Sequence, residues 1–448
     1  MTDRIVQTAT PITSVEELVQ RFHAGSKPAG AFRVGSEHEK VGVIDRGDPI
    51  GAPVPYHGEH GIEALFAALI ERGWSPQSER GHVIALSRGV ERMTLEPGGQ
   101  LELSADPLPT VRAADQEISG HLAELAEVSR PLGIAWLGIG FRPFGTLDDV
   151  PWVPKGRYEV MRSELPRRGS LALEMMKRTA TVQANLDYCS EEDAGRKMRA
   201  AMSVTSVVTA LFAGSPLVDG KDSGYASYRA SVWLDTDPTR CGLLPFAFED
   251  RPLFAAYTDW ALDVPLLFLY RAERYFSAGG MTFRQFMAEG FEGERATVED
   301  WNTHLTTLFP EVRLKHYLEV RGADAGPRPM VLALPALWKG LLYDRQACDA
   351  ATRLMAGPSY PERLRLREEV PRAGLAARLP DGRSVLEVAR ELVAIAHDGL
   401  SRVAADEVGY LAPLDEIVAT GRGVADRIRE TARVARGDRR ELIEALRL

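Results

Sequence analysis

Along several stretches of the chain, polar residues alternate with apolar ones at the two-residue period of a β-strand, in which positions i, i+2 and i+4 share a face. In TATVQANLDY (179–188), Thr179, Thr181, Gln183, Asn185 and Asp187 fall on one side; Ala180, Val182, Ala184, Leu186 and Tyr188 fall on the other. In FRVGSEHEKVGV (32–43), Arg33, Gly35, Glu37, Glu39 and Val41 share a face, so two carboxylates project together. In MTLEPGGQLELS (93–104), the turn signal Pro97-Gly98-Gly99 is followed by Gln100, Glu102 and Ser104 on one side, with Glu96 just before the turn. In HYLEVRGAD (316–324), Glu319 and Arg321 stand side by side with Leu318 and Val320 behind them.

Helical periodicity separates these strands. Ser14-Val15-Glu16-Glu17 is a capping-box pattern opening a helix that ends near Gly25. Residues 61–73 place Ile62, Leu65, Phe66, Leu69 and Ile70 on one face, and 113–130 repeat the pattern with Ile118, Leu122, Leu125 and Val128. Ser190 and Asp193 start a long helix to about Phe212, a further helix covers roughly 384–399 and stops at Gly399, and about the last 25 residues are charged and helical. Helices and strands mix without strand–helix–strand alternation, which predicts an α+β fold with a mainly antiparallel sheet flanked by helices. The expected organisation is a single catalytic unit over 1–448, with a core at about 30–345 and a C-terminal helical region at about 346–448. The Arg/Glu-rich stretch 362–374 is the best candidate for a boundary.

Composition narrows the classes. Hydrophobic residues make up 45% of the 448 residues and charged ones 26%, too apolar for a disordered chain. The net charge of −9 argues against a nucleic-acid partner, which selects for a basic face. Neither 132–141 nor 204–214 approaches the roughly 20 apolar residues of a membrane span, so no membrane partner is expected. The N-terminal stretch MTDRIVQTATPITS has no apolar run of a signal peptide, and the three cysteines, Cys189, Cys241 and Cys348, suit a reducing cytoplasm.

Carboxylates paired on one sheet face repel one another unless a cation neutralises them. Mg²⁺ does so through oxygen ligands and bridges to phosphates, while neighbouring arginines grip phosphate or carboxylate through two parallel hydrogen bonds. An ordinary solvent-facing sheet has the same alternation, so the residues alone leave both readings open. Other motifs lead nowhere. Gly138-Ile-Gly140-Phe-Arg-Pro143 lacks the third glycine of a dinucleotide fingerprint, and GSPLVDGKD (214–222) lacks the spacing and the Ser/Thr of a phosphate loop. His57 and His60 read as surface residues, His38 as a buried hydrogen-bonded histidine opposite Glu37 and Glu39, and the cysteines as unreactive thiols.

The chain resembles glutamate–cysteine ligases of the plant and proteobacterial type. The resemblance runs through GSEHEKVGV (35–43), LEPGGQLELSADPL (95–108), MMKRTATVQANLDY (175–188), TALFAGSPLVDGK (209–221), YRASVWLDTDPTRCGLLPF (228–246), ALDVPLLFLYR (261–271), MTFRQFM (281–287), HLTTLFPEVRLKHYLEVRGADAGP (304–327) and LPALWKGLLYD (334–344). It implies a curved, mainly antiparallel sheet of the glutamine-synthetase-like superfamily, with ATP as cosubstrate, Mg²⁺ as cofactor, and L-glutamate and L-cysteine as substrates. By this resemblance Glu37, Glu39, Glu102 and Glu319 are metal ligands, with Glu96 an addition. Arg229 and Arg157 anchor substrate, and Arg321 faces phosphate in the transfer step and touches nucleotide. Gln183 stands where related ligases carry His, open between metal shell and nucleotide contact. Plant members carry regulatory disulfides whose positions these three cysteines do not match, so no such switch is expected.

The reaction so implied is ligation of the glutamate γ-carboxylate to the cysteine amine through γ-glutamyl phosphate, the first step of glutathione biosynthesis. Alternatives are a γ-glutamyl ligase that takes another amine or feeds another thiol pathway, a guanidino-type phosphotransferase on a related sheet, and a non-enzymatic regulatory relative. Oligomeric state is left open.

Overall fold

A computed structural model describes residues 11–104 and 106–448, so most of the N-terminal stretch read for a leader lies outside the described residues. Nine strands among the described residues form one sheet: β1 (Val34–Ile44), β2 (Ser75–Glu79), β3 (His82–Arg88), β4 (Glu91–Leu95), β5 (Leu101–Ser104), β6 (Ile134–Leu137), β7 (Thr181–Leu186), β8 (Val312–Leu314) and β9 (Leu318–Asp324). The spatial order is β8-β9-β7-β1-β5-β4-β3-β2, with β6 paired to the far end of β1, and every pairing is antiparallel. This is the expected α+β class.

Register places the polar positions in rows. Glu39 stands opposite Glu102, Glu37 opposite Gln183, and Glu319 opposite Asn185. The apolar faces of β1, β7 and β9 enter a continuous core that includes Val182, Ala184, Leu186, Val320 and Leu334. Helix Arg328–Tyr343 packs on β7 and β1, and helix Val385–Val403 packs on that helix in turn. A second cluster, including Leu65, Phe66, Leu69, Leu86 and Met93, joins helix Ile62–Ile70 to the hairpins of β2–β5. No helix among the described residues is long and apolar enough to cross a membrane.

The helix starts follow their caps. Ser14 accepts from the Glu17 N–H before helix Val15–His23, and Ser190 accepts from the Asp193 N–H before helix Glu191–Leu211. Two expectations need correction. Gly399 does not end its helix, which runs on to Val403; a Cβ at this buried glycine would lie 2.1 Å from the Gly340 carbonyl oxygen, so the residue permits close helix crossing. Residues 362–374 are no boundary, because they belong mainly to helix Tyr360–Ala373, whose Leu366 and Val370 are buried in the common core. Gly138 and Gly140 also serve close packing, against the Gly326 backbone and the Asp324 side chain, and 217–222 form a short hairpin turning at Gly220 (φ +78°).

Candidate active site

On the polar face of the sheet lies a cavity of about 320 Å³ whose lining includes Glu37, Glu39, Glu96, Glu102, Arg157, Gln183, Arg229 and Arg321. Eight of the nine expected site residues therefore converge, although they come from segments up to 284 positions apart in the chain (Glu37 to Arg321). Lys155, Arg313 and Trp233 also line it, and none of these was singled out from sequence. Arg313 could have been found: it faces Glu319 across the tight β8–β9 hairpin, at equal distance from the turn.

The floor is acidic. Burial, and next the charges of Glu319 and Glu102, push the Glu37 carboxyl from its ordinary 4.5 up to about 7. Burial, followed by Glu96 and Glu102, holds Glu39 well above its usual range. Glu102 is raised, first by burial and then by Glu96. Each carboxylate has one fixed donor: Asn185 Nδ2 reaches Glu37 at 2.7 Å, the Thr181 N–H reaches Glu39 at 3.0 Å, and Thr94 Oγ1 reaches Glu102 at 2.6 Å. Gly35 leaves the room for Asn185, since a Cβ there would lie 2.9 Å from the asparagine Cβ. The turn before β5 is locked by Gln100, which accepts from the Gly98 N–H at 2.9 Å and donates to the Thr179 carbonyl at 2.8 Å.

Glu319 is placed differently from the rest of the expected ligand set. It lies in the same row but is fully buried and does not line the cavity. Arg313 Nη2 and Lys315 Nζ each lie 2.6 Å from its carboxylate, and Arg321 Nη1 closes the cluster. Burial pushes its carboxyl up, but the charges of Arg313, Lys315 and Arg321 together outweigh this and hold it well below the usual carboxylate range.

The cations occupy the rim. Arg321 Nη1 also donates to Gln183 Oε1 at 2.7 Å, so Gln183 and Glu319 fix the guanidinium between them. A register shift between Val320 and Ala323 releases the carbonyls of Arg321 and Gly322 from the ladder. Arg229 fills that gap, donating to them at 2.9 and 3.4 Å. Its helix, Tyr228–Leu234, starts at Ser227, whose hydroxyl donates to the buried Asp324 carboxylate at 2.8 Å. Arg157 lies near the start of helix Gly156–Glu164 with its guanidinium 5.5 Å over the Phe268 ring. Lys155 Nζ donates to the Leu95 carbonyl at 2.7 Å, and burial lowers its pKa to about 8. The Nε atoms of Arg157 and Arg229 and the indole N–H of Trp233 are buried donors without an acceptor among the described residues.

Of the remaining sequence readings, His38 is buried on the opposite face, 5.8 Å from the His121 ring. Elsewhere Arg178 is held by Glu174 and Asp219, and Asp237 and Arg240 pair within a turn. The cysteines are all free.

A large antiparallel sheet that gathers carboxylates and guanidinium groups on one face, with helices around it, is the arrangement expected of the glutamine-synthetase-like fold. A crystal structure of glutamate–cysteine ligase from Francisella tularensis, in complex with AMP, has this fold: the TM-score is 0.56 at 14% identity, over 93% of this chain and 87% of that one. The chain belongs to glutamate–cysteine ligase family 2, whose profile matches residues 33–445. The chloroplastic glutamate–cysteine ligase B of Oryza sativa subsp. japonica is 43% identical over 431 residues, 95% of this chain and 85% of the rice enzyme. The chloroplastic enzyme of Arabidopsis thaliana is 43% identical over 433 residues, 96% of this chain and 81% of its own length. These relatives overturn the expected cytoplasmic location. Scarce, unpaired cysteines indicate surroundings in which disulfides are not needed, and that property does not single out one compartment.

Proposed function

We infer that the protein joins the γ-carboxylate of L-glutamate to the amine of L-cysteine at the expense of ATP, the first step of glutathione biosynthesis. One observation carries the reading: in a chain of this family, four half-buried carboxylates and four arginines from distant segments face one cavity. The carboxylates fit a hard cation. They are oxygen donors raised by burial and mutual repulsion, and Asn185 Oδ1 beside them is a buried acceptor without a donor among the described residues. Glu37, Glu39 and Glu102, with Glu96, would hold Mg²⁺, which supplies charge that screens carboxylate from phosphate and stabilises the transferring group. Glu319 is the weaker fit among the expected ligands, since its charge is already offset by Arg313, Lys315 and Arg321.

The chain's own groups do the rest. Arg229 and Arg157 offer unpaired buried N–H donors, which suits the carboxylates of glutamate. Arg321, fixed by Glu319 and Gln183, presents positive charge to the phosphoryl group without reorganisation. The γ-carboxylate attacks the terminal phosphorus of ATP, ADP leaves, and the cysteine amine then displaces phosphate from the acyl phosphate to form the amide. The test is incubation with ATP, Mg²⁺, glutamate and cysteine, with the dipeptide identified by mass. Phosphate release without dipeptide, or turnover only with a non-thiol amine, would overturn the assignment.

A further inference from the structure

Away from the cavity, His57, Glu63 and His82 come together from the loop before helix Ile62–Ile70, the first turn of that helix and the start of β3, with one ligand atom of each within 4.8 Å of the others. His57 Nδ1 lies 2.8 Å from Glu63 Oε2, and His82 Nδ1 lies 3.8 Å from Glu63 Oε1. The two imidazole rings are 5.5 Å apart between centroids. The frame beneath them is braced. The Tyr56 hydroxyl donates to the Val83 carbonyl at 2.8 Å, and the N–H groups of Ile62 and Glu63 donate to the carbonyls of Pro55 and Tyr56 at 2.9 and 3.0 Å. Gly61 is needed for this turn, because a Cβ there would lie 2.7 Å from the His57 carbonyl oxygen.

We propose that His57, Glu63 and His82 form a binding site for a divalent transition-metal ion of the zinc class, separate from the carboxylate cavity. Two imidazoles and one carboxylate are a zinc ligand set that leaves a fourth position to water. Donors at about 2.0–2.2 Å from such an ion stand roughly 3–4 Å apart, which small side-chain rotations reach from the observed spacing. Imidazole donors select zinc, copper or nickel, whereas magnesium prefers the all-oxygen cavity. The ion ties the His57 loop and its helix to the β2–β3 hairpin. That hairpin in turn supports the helix bearing Arg157, through Glu79, which accepts from the Gly156 N–H at 2.7 Å. The site therefore braces the outer hairpin and takes no part in the ligation.

The test is zinc calorimetry on the untagged full-length protein in excess Mg²⁺, with copper as an electron-paramagnetic-resonance probe. Binding of one zinc per chain is expected, with nitrogen couplings from two imidazoles in the copper spectrum. Loss of even an outer-shell partner typically weakens a metal site about 10–100-fold, so His57→Asn and His82→Asn should each weaken binding at least that much. The neighbouring His60→Asn should leave it unchanged, because His60 Nδ1 is engaged by the Leu132 carbonyl at 2.9 Å. Zinc should raise the melting temperature of the parent and not that of the double His57/His82 variant, whose fold is checked by circular dichroism. Absence of stoichiometric binding in the parent, or equal zinc affinity in the folded double variant, would overturn the proposal.

Discussion

The strongest consequence of the site concerns Glu37, whose charge is held in the cavity at the expense of the fold. Its carboxyl goes from an ordinary 4.5 to about 7, first through burial and then through Glu319 and Glu102. The folded chain thus holds this proton more tightly than the unfolded chain. The folded state loses stability as pH rises from 4.5 to 7, and the whole penalty is present above 7. That change corresponds to about 3 kcal/mol, and water in the cavity screens part of it, leaving about 1–3 kcal/mol. Glu37→Gln removes the charge and keeps an oxygen for Asn185 Nδ2. In EDTA at pH 8 the variant should therefore be more stable than the parent by about 1–3 kcal/mol, with most of that gain gone near pH 5 and the two coinciding below the ordinary 4.5. Saturating Mg²⁺ should favour the parent and narrow the gap at pH 8, while turnover of the variant falls about 100-fold or more. Urea denaturation midpoints at both pH values, with EDTA or Mg²⁺, check all of this. A variant less stable than the parent at pH 8 in EDTA, or a gain of the same size at pH 5, would refute the reasoning.

Glu319→Gln should act in the opposite direction: with Arg313 left buried and Lys315 half-buried beside a neutral amide, about 3–5 kcal/mol of stability is lost, read from the same denaturation curves. Burial lowers the Lys40 ammonium to about 7, where, among the described residues, the His38 and Leu101 carbonyls at 3.2 and 3.4 Å receive it. Lys40→Met should therefore raise stability by about 2–5 kcal/mol at pH 6, and the gain should shrink as pH climbs from 7 towards 10.5, where the unfolded lysine also loses its proton. Arg229→Lys keeps the charge but lacks the fork that spans the Arg321 and Gly322 carbonyls and an anion together. Its KM for glutamate should rise about 10–100-fold with an unchanged circular-dichroism spectrum, the loss of one or two charge-assisted hydrogen bonds.

The polar face was legible because alternation is a local property: once 179–188 and 32–43 are strands, Gln183, Asn185, Glu37 and Glu39 have no choice of side. Pairing was not legible, and it decides chemistry. That Glu39 meets Glu102 while Glu319 meets Arg313 depends on strand order and register. Glu319 therefore looked equivalent to Glu37 along the chain, although one is surrounded by cations and the other by carboxylates. Gly399 failed for a related reason. A glycine near a helix end has the same sequence signature whether it caps that helix or lets another backbone approach, and only the position of Gly340 distinguishes them. The Arg/Glu-rich 362–374 suggested a boundary by composition, yet Leu366 and Val370 at helical spacing were enough to bury it.

The arrangement also explains how so acidic a floor is tolerated without a bound cation. Each carboxylate is opposed by a counter-charge that makes no direct ion pair with it. Arg229 draws on Glu39 from the rim, Lys315 draws on Glu37 from the β8–β9 hairpin, and Lys155 draws on Glu102 from the cavity wall. Lys40 adds a contribution from behind the sheet, where Glu102 and Glu39 oppose the loss of its proton. None of these charges neutralises a carboxylate at close range as Arg313 and Lys315 neutralise Glu319. A contact of that kind would stabilise the floor but occupy the oxygens a cation needs. Remote opposing charge lowers the repulsion while leaving the carboxylate oxygens open, which is the electrostatic condition that the proposed reversible binding of a metal–nucleotide complex requires.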